Sequence, residues 1–142
     1  MNNRNCQQAN QIMKEESFSV TKRIKSFSYA FKGLKVLIID EHNSRVHLFF
    51  SISVIILGAY FKINSIEWLF IVASIGIVIS MEAINSAVES LADFVSPNFH
   101  ELIKKTKDLA AASVLISACT AFTIGLIIFL PKITNLVLRC LY

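Results

Sequence analysis

At 142 residues the chain is long enough for one domain, and its 54% hydrophobic and 17% charged content and mean hydropathy of +0.58 exclude a small soluble domain and predict one membrane-embedded unit. The net charge of +4 is spread between apolar runs with no nucleic-acid-binding motif beside it, which points to an anionic bilayer surface and away from DNA or RNA. Cys6, Cys119 and Cys140 show neither CxxC nor metal-ligand spacing and read as incidental thiols.

Residues 1–17, "MNNRNCQQANQIMKEES", are polar and lack an apolar h-region, so they are expected to be a disordered tail and not a cleaved signal peptide. Residues 18–135 are expected to be the membrane-embedded domain and 136–142 a short C-terminal tail. From Phe18 to Glu41 the apolar residues Ile24, Phe27, Phe31, Leu34 and Ile38 are read as sharing one helical face, with Lys22, Lys25, Lys32 and Lys35 on the other. That pattern predicts an amphipathic helix in the membrane interface, its cations toward headgroups or phosphate, or else a solvated face with the apolar side packed on the bundle; the two are compatible.

Three spans follow, at about Val46–Phe61, Ile66–Ala92 and Leu109–Leu130, the last ending at Pro131. About 20 helical residues cross about 30 Å of hydrocarbon, so the second and third suffice and the first needs help from its polar flanks. Eight lysines and arginines precede the first span, Lys62 alone separates the first two, Lys104, Lys105 and Lys107 precede the third, and two follow it. This bias places the N-terminus and the Phe94–Asp108 loop in the cytoplasm. The fold class is all-α: three transmembrane helices plus an N-terminal interfacial helix.

The second span carries an anomaly. In "SMEAINSAVESLAD", taking Glu82 as the origin, Asn85, Ser86, Glu89 and Asp93 fall at about −60°, +40°, −20° and +20°, one polar face about 16 Å long. A charge at the bilayer centre costs roughly 2.5–3.5 kcal/mol even on a lenient scale, so this face must meet protein, water or substrate. Interhelical polar contacts yield only about 0.6–2 kcal/mol, which makes three carboxylates in three turns an expensive packing device, although packing is one reading. The other is an acidic site at the cytoplasmic end, whose hard oxygens suit Mg²⁺ carrying a nucleotide phosphate.

Further residues can complete such a site. Glu41, at the junction before the first span, stands at about the depth of Glu89, so the two can share a metal; alternatively Glu41 is an exposed acid near the headgroups. Arg45 and His47 read as headgroup-level anchors. Asp108 is either an N-cap or a site acid. Lys107 is either a marker of the cytoplasmic side or a cation for phosphoryl charge. No Walker glycine loop, HRD or DFG set or GxGxxG turn occurs, so a soluble kinase's machinery is absent from the sequence. An ion-conducting bundle and a non-catalytic assembly factor remain as alternatives, but conduction wants polar residues in "WLFIVASIGIVIS", where only small hydroxyls occur.

Three stretches, "RIKSFSYAFKGLK" leading to Glu41, "MEAINSAVESLAD" and "HELIKKTKDLAAASVLI", resemble the small integral-membrane prokaryotic diacylglycerol kinase family, which includes the undecaprenol kinases. The resemblance spans Phe18 to Ile128, and its specific element is E-x-x-N-S-A-x-E-x-x-x-D followed by Lys107–Asp108. It implies an inner-membrane homotrimer with active sites between subunits, phosphorylating a membrane lipid alcohol with MgATP. Carried over residue by residue, Glu82 is the general base, Asn85 orients the reacting groups, and Glu41 and Glu89 hold Mg²⁺. Asp93, His100, Lys107 and Asp108 line the nucleotide pocket, closed by Lys22 and Tyr29. Lys22 stands where diacylglycerol-specific members often have Arg, and "EHNSRVH" is closer to the undecaprenol-kinase branch. A base must sit where a lipid headgroup reaches it, and Glu82 lies about 10 Å deeper than Glu89.

Overall fold

The computed structural model describes residues 20–141, with side chains from Arg23 onward. The expected 1–17 tail, Cys6 and the side chain of Lys22 lie outside the described residues. The described chain forms four helices and no strand: α1 Val20–Asp40, α2 His42–Tyr60, α3 Ser65–Val95 and α4 Glu101–Leu141. The chain divides after Gly33 into two compact units. In the first, Ile24, Phe27 and Phe31 are exposed, the apolar face expected of the surface helix, and Lys32 Nζ stands 5.8 Å from the centre of the Tyr29 ring.

The second unit, from Leu34 on, contains three helices long and apolar enough to cross a membrane: α2 with 19 residues, α3 with 31 and α4 with 41. At 1.5 Å per residue they measure about 28, 46 and 61 Å, so α3 and α4 outrun the hydrocarbon and carry polar turns beyond it. Large apolar side chains such as Phe49, Leu69, Ile116 and Ile127 remain exposed along these helices, as expected of surfaces that meet acyl chains or another protein and not water.

One end of this bundle is closed by local chemistry. Lys62 takes φ 51, the left-handed region that costs a side-chain-bearing residue about 1–2 kcal/mol. Its backbone N–H donates to Ala59 O at 3.3 Å and the next one, of Ile63, to Gly58 O at 3.1 Å, which satisfies the carbonyls left over at the end of α2. Asn64 starts α3 at once: its side chain accepts from the Ile66 and Glu67 N–H groups, and Glu67 accepts from the Asn64 N–H at 2.8 Å. Beneath this turn lies the apolar core of Ile63, Ile71, Ile128 and Phe129. A Cβ on Gly58 would come within 2.9 Å of Trp68, so glycine permits the indole to pack there. Lys132 Nζ closes the same end by pairing with Glu67 at 3.0 Å.

Two boundaries differ from the sequence expectation. α4 begins at Glu101, with the His100 Nδ1 accepting from the Leu102 N–H at 3.2 Å, so Asp108 lies inside the helix and not at its N-cap. The connection after α3 shrinks to residues 96–100, and Lys104, Lys105 and Lys107 stand on the first turns of α4. At the other end α4 passes through Pro131 to Leu141. Proline removes one backbone bond but its fixed φ is helical, and with Leu136, Val137 and Leu138 following, continuation keeps the remaining backbone groups paired.

Candidate active site

The buried face of α3 changes character along its length. Ile71, Ser74 and Val78 lead to Glu82, Asn85 and Ala92 at helical spacing, so the face that packs at the apolar end becomes acidic toward the other. Ser74 spends its hydroxyl on its own helix, donating to Phe70 O at 2.7 Å. Glu82 is only 2% exposed and Asn85 8%, whereas Glu89 is half-buried and the Asp93 side chain is 68% exposed. The stripe therefore runs from a dry interior out to water.

Each carboxylate has a distinct neighbour. The Asn85 Nδ2 donates to Glu89 Oε1 at 2.9 Å, one turn apart on α3. Glu82 Oε1 lies 3.1 Å from His47 Nε2 of α2 but has no partner in hydrogen-bond geometry. Asn85 Oδ1 is likewise buried and unpaired, as is the Ser44 hydroxyl one turn before His47. A buried polar atom left without a partner costs about 1–3 kcal/mol, so Asn85 Oδ1 and the Ser44 hydroxyl, beside an acid whose one contact is His47, mark a place built for something other than stability.

Glu41 sits at the N-cap position of α2, yet its side chain caps nothing. Its negative charge and that of Glu89 both act on Glu82. Lys107 of α4 reaches Asp93 Oδ1 at 2.8 Å, and its charge also acts on Glu89. Within the second unit the direct contacts at this end are thus three pairs, Asn85 with Glu89, Glu82 with His47, and Asp93 with Lys107.

Two further expected members have local partners. Asp108 pairs with Lys104 at 3.0 Å on an exposed turn, and His100 caps α4. Tyr29 belongs to the first unit. Arg45, read from sequence as a headgroup anchor, instead closes the end of α1, donating from Nε to Ile38 O at 3.1 Å and through its second nitrogen to Ile39 O. His47, read as another anchor, turns inward to Glu82. Sequence reasoning also passed over Ser44. The available signal was a polar Ser, Arg and His within six residues of Glu41, at the mouth of a span with little length to spare.

Among the described residues no three His, Cys, Asp or Glu side chains converge as a ready-made metal cage. Mg²⁺ requires none, since it is commonly held by one or two carboxylates with phosphate oxygens and water completing the shell. Glu41 with its side chain uncommitted, and Glu89 with one oxygen left over, are donors of that kind, and the buried, unpaired Asn85 Oδ1 beside Glu89 adds a third hard oxygen. A cleft of about 500 Å³ between the spanning helices, lined by Phe50, Val54, Val78, Phe122 and Gly125, has His47 at its polar end. An apolar cleft that ends beside a buried carboxylate suits an amphiphile with one polar group.

A helical membrane protein with an acidic interior and an apolar cleft leading to it is therefore the class that fold and site define. The chain matches the model of the prokaryotic diacylglycerol kinase family over residues 28–129 and belongs to that family. It is 34% identical over 120 residues to the undecaprenol kinase of Bacillus subtilis (strain 168), covering 84% of this chain and 98% of that one. It is 33% identical over 106 residues to the diacylglycerol kinase of Helicobacter pylori, covering 70% and 83%. With the diacylglycerol kinase of Escherichia coli (strain K12) it shares 28% identity over 109 residues, 77% of this chain and 89% of that one.

Proposed function

We propose that this bacterial membrane protein is a lipid kinase that moves the γ-phosphoryl group of ATP onto the hydroxyl of a membrane lipid alcohol, undecaprenol or diacylglycerol, at the cytoplasmic face. Family membership and the names of the relatives support lipid phosphorylation. The observation that carries the assignment of residues is Glu82, buried to 2% exposure, with its neighbour His47 lining an apolar cleft. A lipid whose chain lies among the spanning helices brings its hydroxyl to that depth.

Glu82 takes the hydroxyl proton as the lipid oxygen attacks Pγ; the new O–P bond forms, the bond from Pγ to the bridging oxygen breaks, and ADP departs with that electron pair. Glu41 and Glu89 would hold Mg²⁺, which neutralises phosphate charge when bound. Asn85 fixes the Glu89 carboxylate through its amide N–H, and Lys107, steadied by Asp93, faces the nucleotide as a cation. The lysine and arginine bias supports a cytoplasmic N-terminus. The exposed apolar faces of α2, α3 and α4 give room for neighbouring copies, which supports a homotrimer with MgATP bound between subunits. An ion-conducting bundle is disfavoured because the buried face of α3 ahead of Glu82 offers Ile71, Ser74 and Val78 and no acid.

The test is Glu82→Gln, which keeps shape and removes the base. Labelled ATP offered with undecaprenol and with diacylglycerol in detergent should give a kcat lower by roughly 10²–10⁴-fold for whichever lipid the parent phosphorylates. A variant that phosphorylates both at the parent rate refutes the role of Glu82.

A further inference from the structure

Glu82 has one ion-pair partner among the described residues, His47. The His47 side chain is 23% exposed and Glu82 3%, so the pair spans the border between the buried acid and its surroundings. The other charges acting on Glu82 are Glu41 from the α1–α2 junction and Glu89 from its own helix, both negative; no titratable group of α4 is among them. A carboxylate taken out of water is held as the anion by an adjacent cation, and only as the anion can it take a proton. His47, 3.1 Å from Glu82 Oε1, is the group placed to supply that cation. Its backbone is held in α2, with the Ser51 hydroxyl donating to its carbonyl at 2.8 Å, and its ring stands at the polar end of the apolar cleft.

We infer that His47 is a positioning residue for the phosphoryl-transfer reaction: as an imidazolium against Glu82 Oε1 it keeps Glu82 a carboxylate and aims it at the lipid hydroxyl. The inference rests on the reading of Glu82 as the base. The proton balance is simple. The resting pair holds one proton, on His47; the lipid hydroxyl proton passes to Glu82 as its oxygen bonds to phosphorus; and the pair, then holding two protons, returns one to water, matching the single proton that transfer from ATP to an alcohol releases.

Two measurements test this. The first is the pH dependence of kcat in detergent for the parent, His47→Gln and His47→Lys, each checked for parent-like helical circular dichroism. Glutamine puts an amide nitrogen near the position of Nε2 but cannot become a cation. Its kcat at neutral pH should fall roughly 10- to 100-fold with KM for both substrates within about twofold, and the acidic limb should move up by about one pH unit, so the deficit narrows as pH rises. Lysine, a cation, should retain the parental limb. A residue that merely packs would give the same deficit at every pH in both variants, and that result overturns the inference.

The second measurement needs no His47 variant to fold. The infrared difference between the parent and Glu82→Gln at neutral pH should show loss of a carboxylate band; loss of a protonated carboxyl band overturns the inference. If Glu82→Gln is fully active, the base assignment itself has failed. If Glu82→Gln is inactive while His47→Gln keeps the parental rate and limb, only the role of His47 has failed.

Discussion

Glu89→Gln is a nearly shape-neutral change whose cost can be worked from one hydrogen bond. Glu89 Oε1 accepts from Asn85 Nδ2 at 2.9 Å, which leaves its second oxygen for the Mg²⁺ proposed to bind there. Glutamine has one oxygen and one NH₂ group for those two tasks. If its oxygen keeps Asn85, the NH₂ group points at the cation; if it turns its oxygen to the cation, two NH₂ groups face each other. Either arrangement leaves one polar contact unmade, worth about 1–3 kcal/mol, and the negative charge is lost besides. At about 1.4 kcal/mol per tenfold, the half-saturating Mg²⁺ concentration should rise by at least roughly 5- to 150-fold. The assay is initial velocity against free Mg²⁺ at fixed ATP and lipid, with kcat recovering most of its parental value at high Mg²⁺. An unchanged Mg²⁺ curve with a depressed kcat would show that Glu89 serves the chemical step and not the metal.

Lys107→Met should raise KM for ATP by roughly tenfold, as expected for loss of a charge-assisted contact to phosphate, while Lys104→Met, whose pair with Asp108 is exposed on both sides, should leave it within about twofold; equal effects would argue against a nucleotide-facing Lys107. Gly58→Ala drives a methyl to within 2.9 Å of Trp68 and 3.0 Å of Ile63, so thermal unfolding in detergent should show a loss of about 1–3 kcal/mol. Because Gly58 lies at the apolar end, KM for Mg²⁺ and ATP should stay unchanged in that variant. A parental melting temperature would mean that the indole has room to move aside.

The membrane class, the three spans and the acidic stripe were legible in the sequence because each depends on local periodicity. Hydropathy reports how a segment partitions, and a 100° step places Glu82, Asn85 and Glu89 on one side whatever packs against them. Boundaries were less legible. The third span was expected to begin near Asp108 and to end at Pro131, since charges and proline usually punctuate helices, yet α4 runs from Glu101 to Leu141. A helix does not stop where it leaves hydrocarbon; it stops where its backbone finds other partners, as it does at His100.

What the sequence by itself determined was therefore the kind of protein and the polar stripe on its second span: composition, spacing and the motif from Glu82 to Asp108 are properties of a one-dimensional string. What only the tertiary structure decided was who meets whom across helices. His47 and Arg45 stand two residues apart in one polar stretch, so the helical step sets them on opposite sides, but only packing decides that one meets a buried carboxylate and the other the carbonyls of α1. Contacts of this kind depend on the rotation of α2 against α3 and on the backbone break at Glu41, which arise when the apolar faces pack and are written in no single segment.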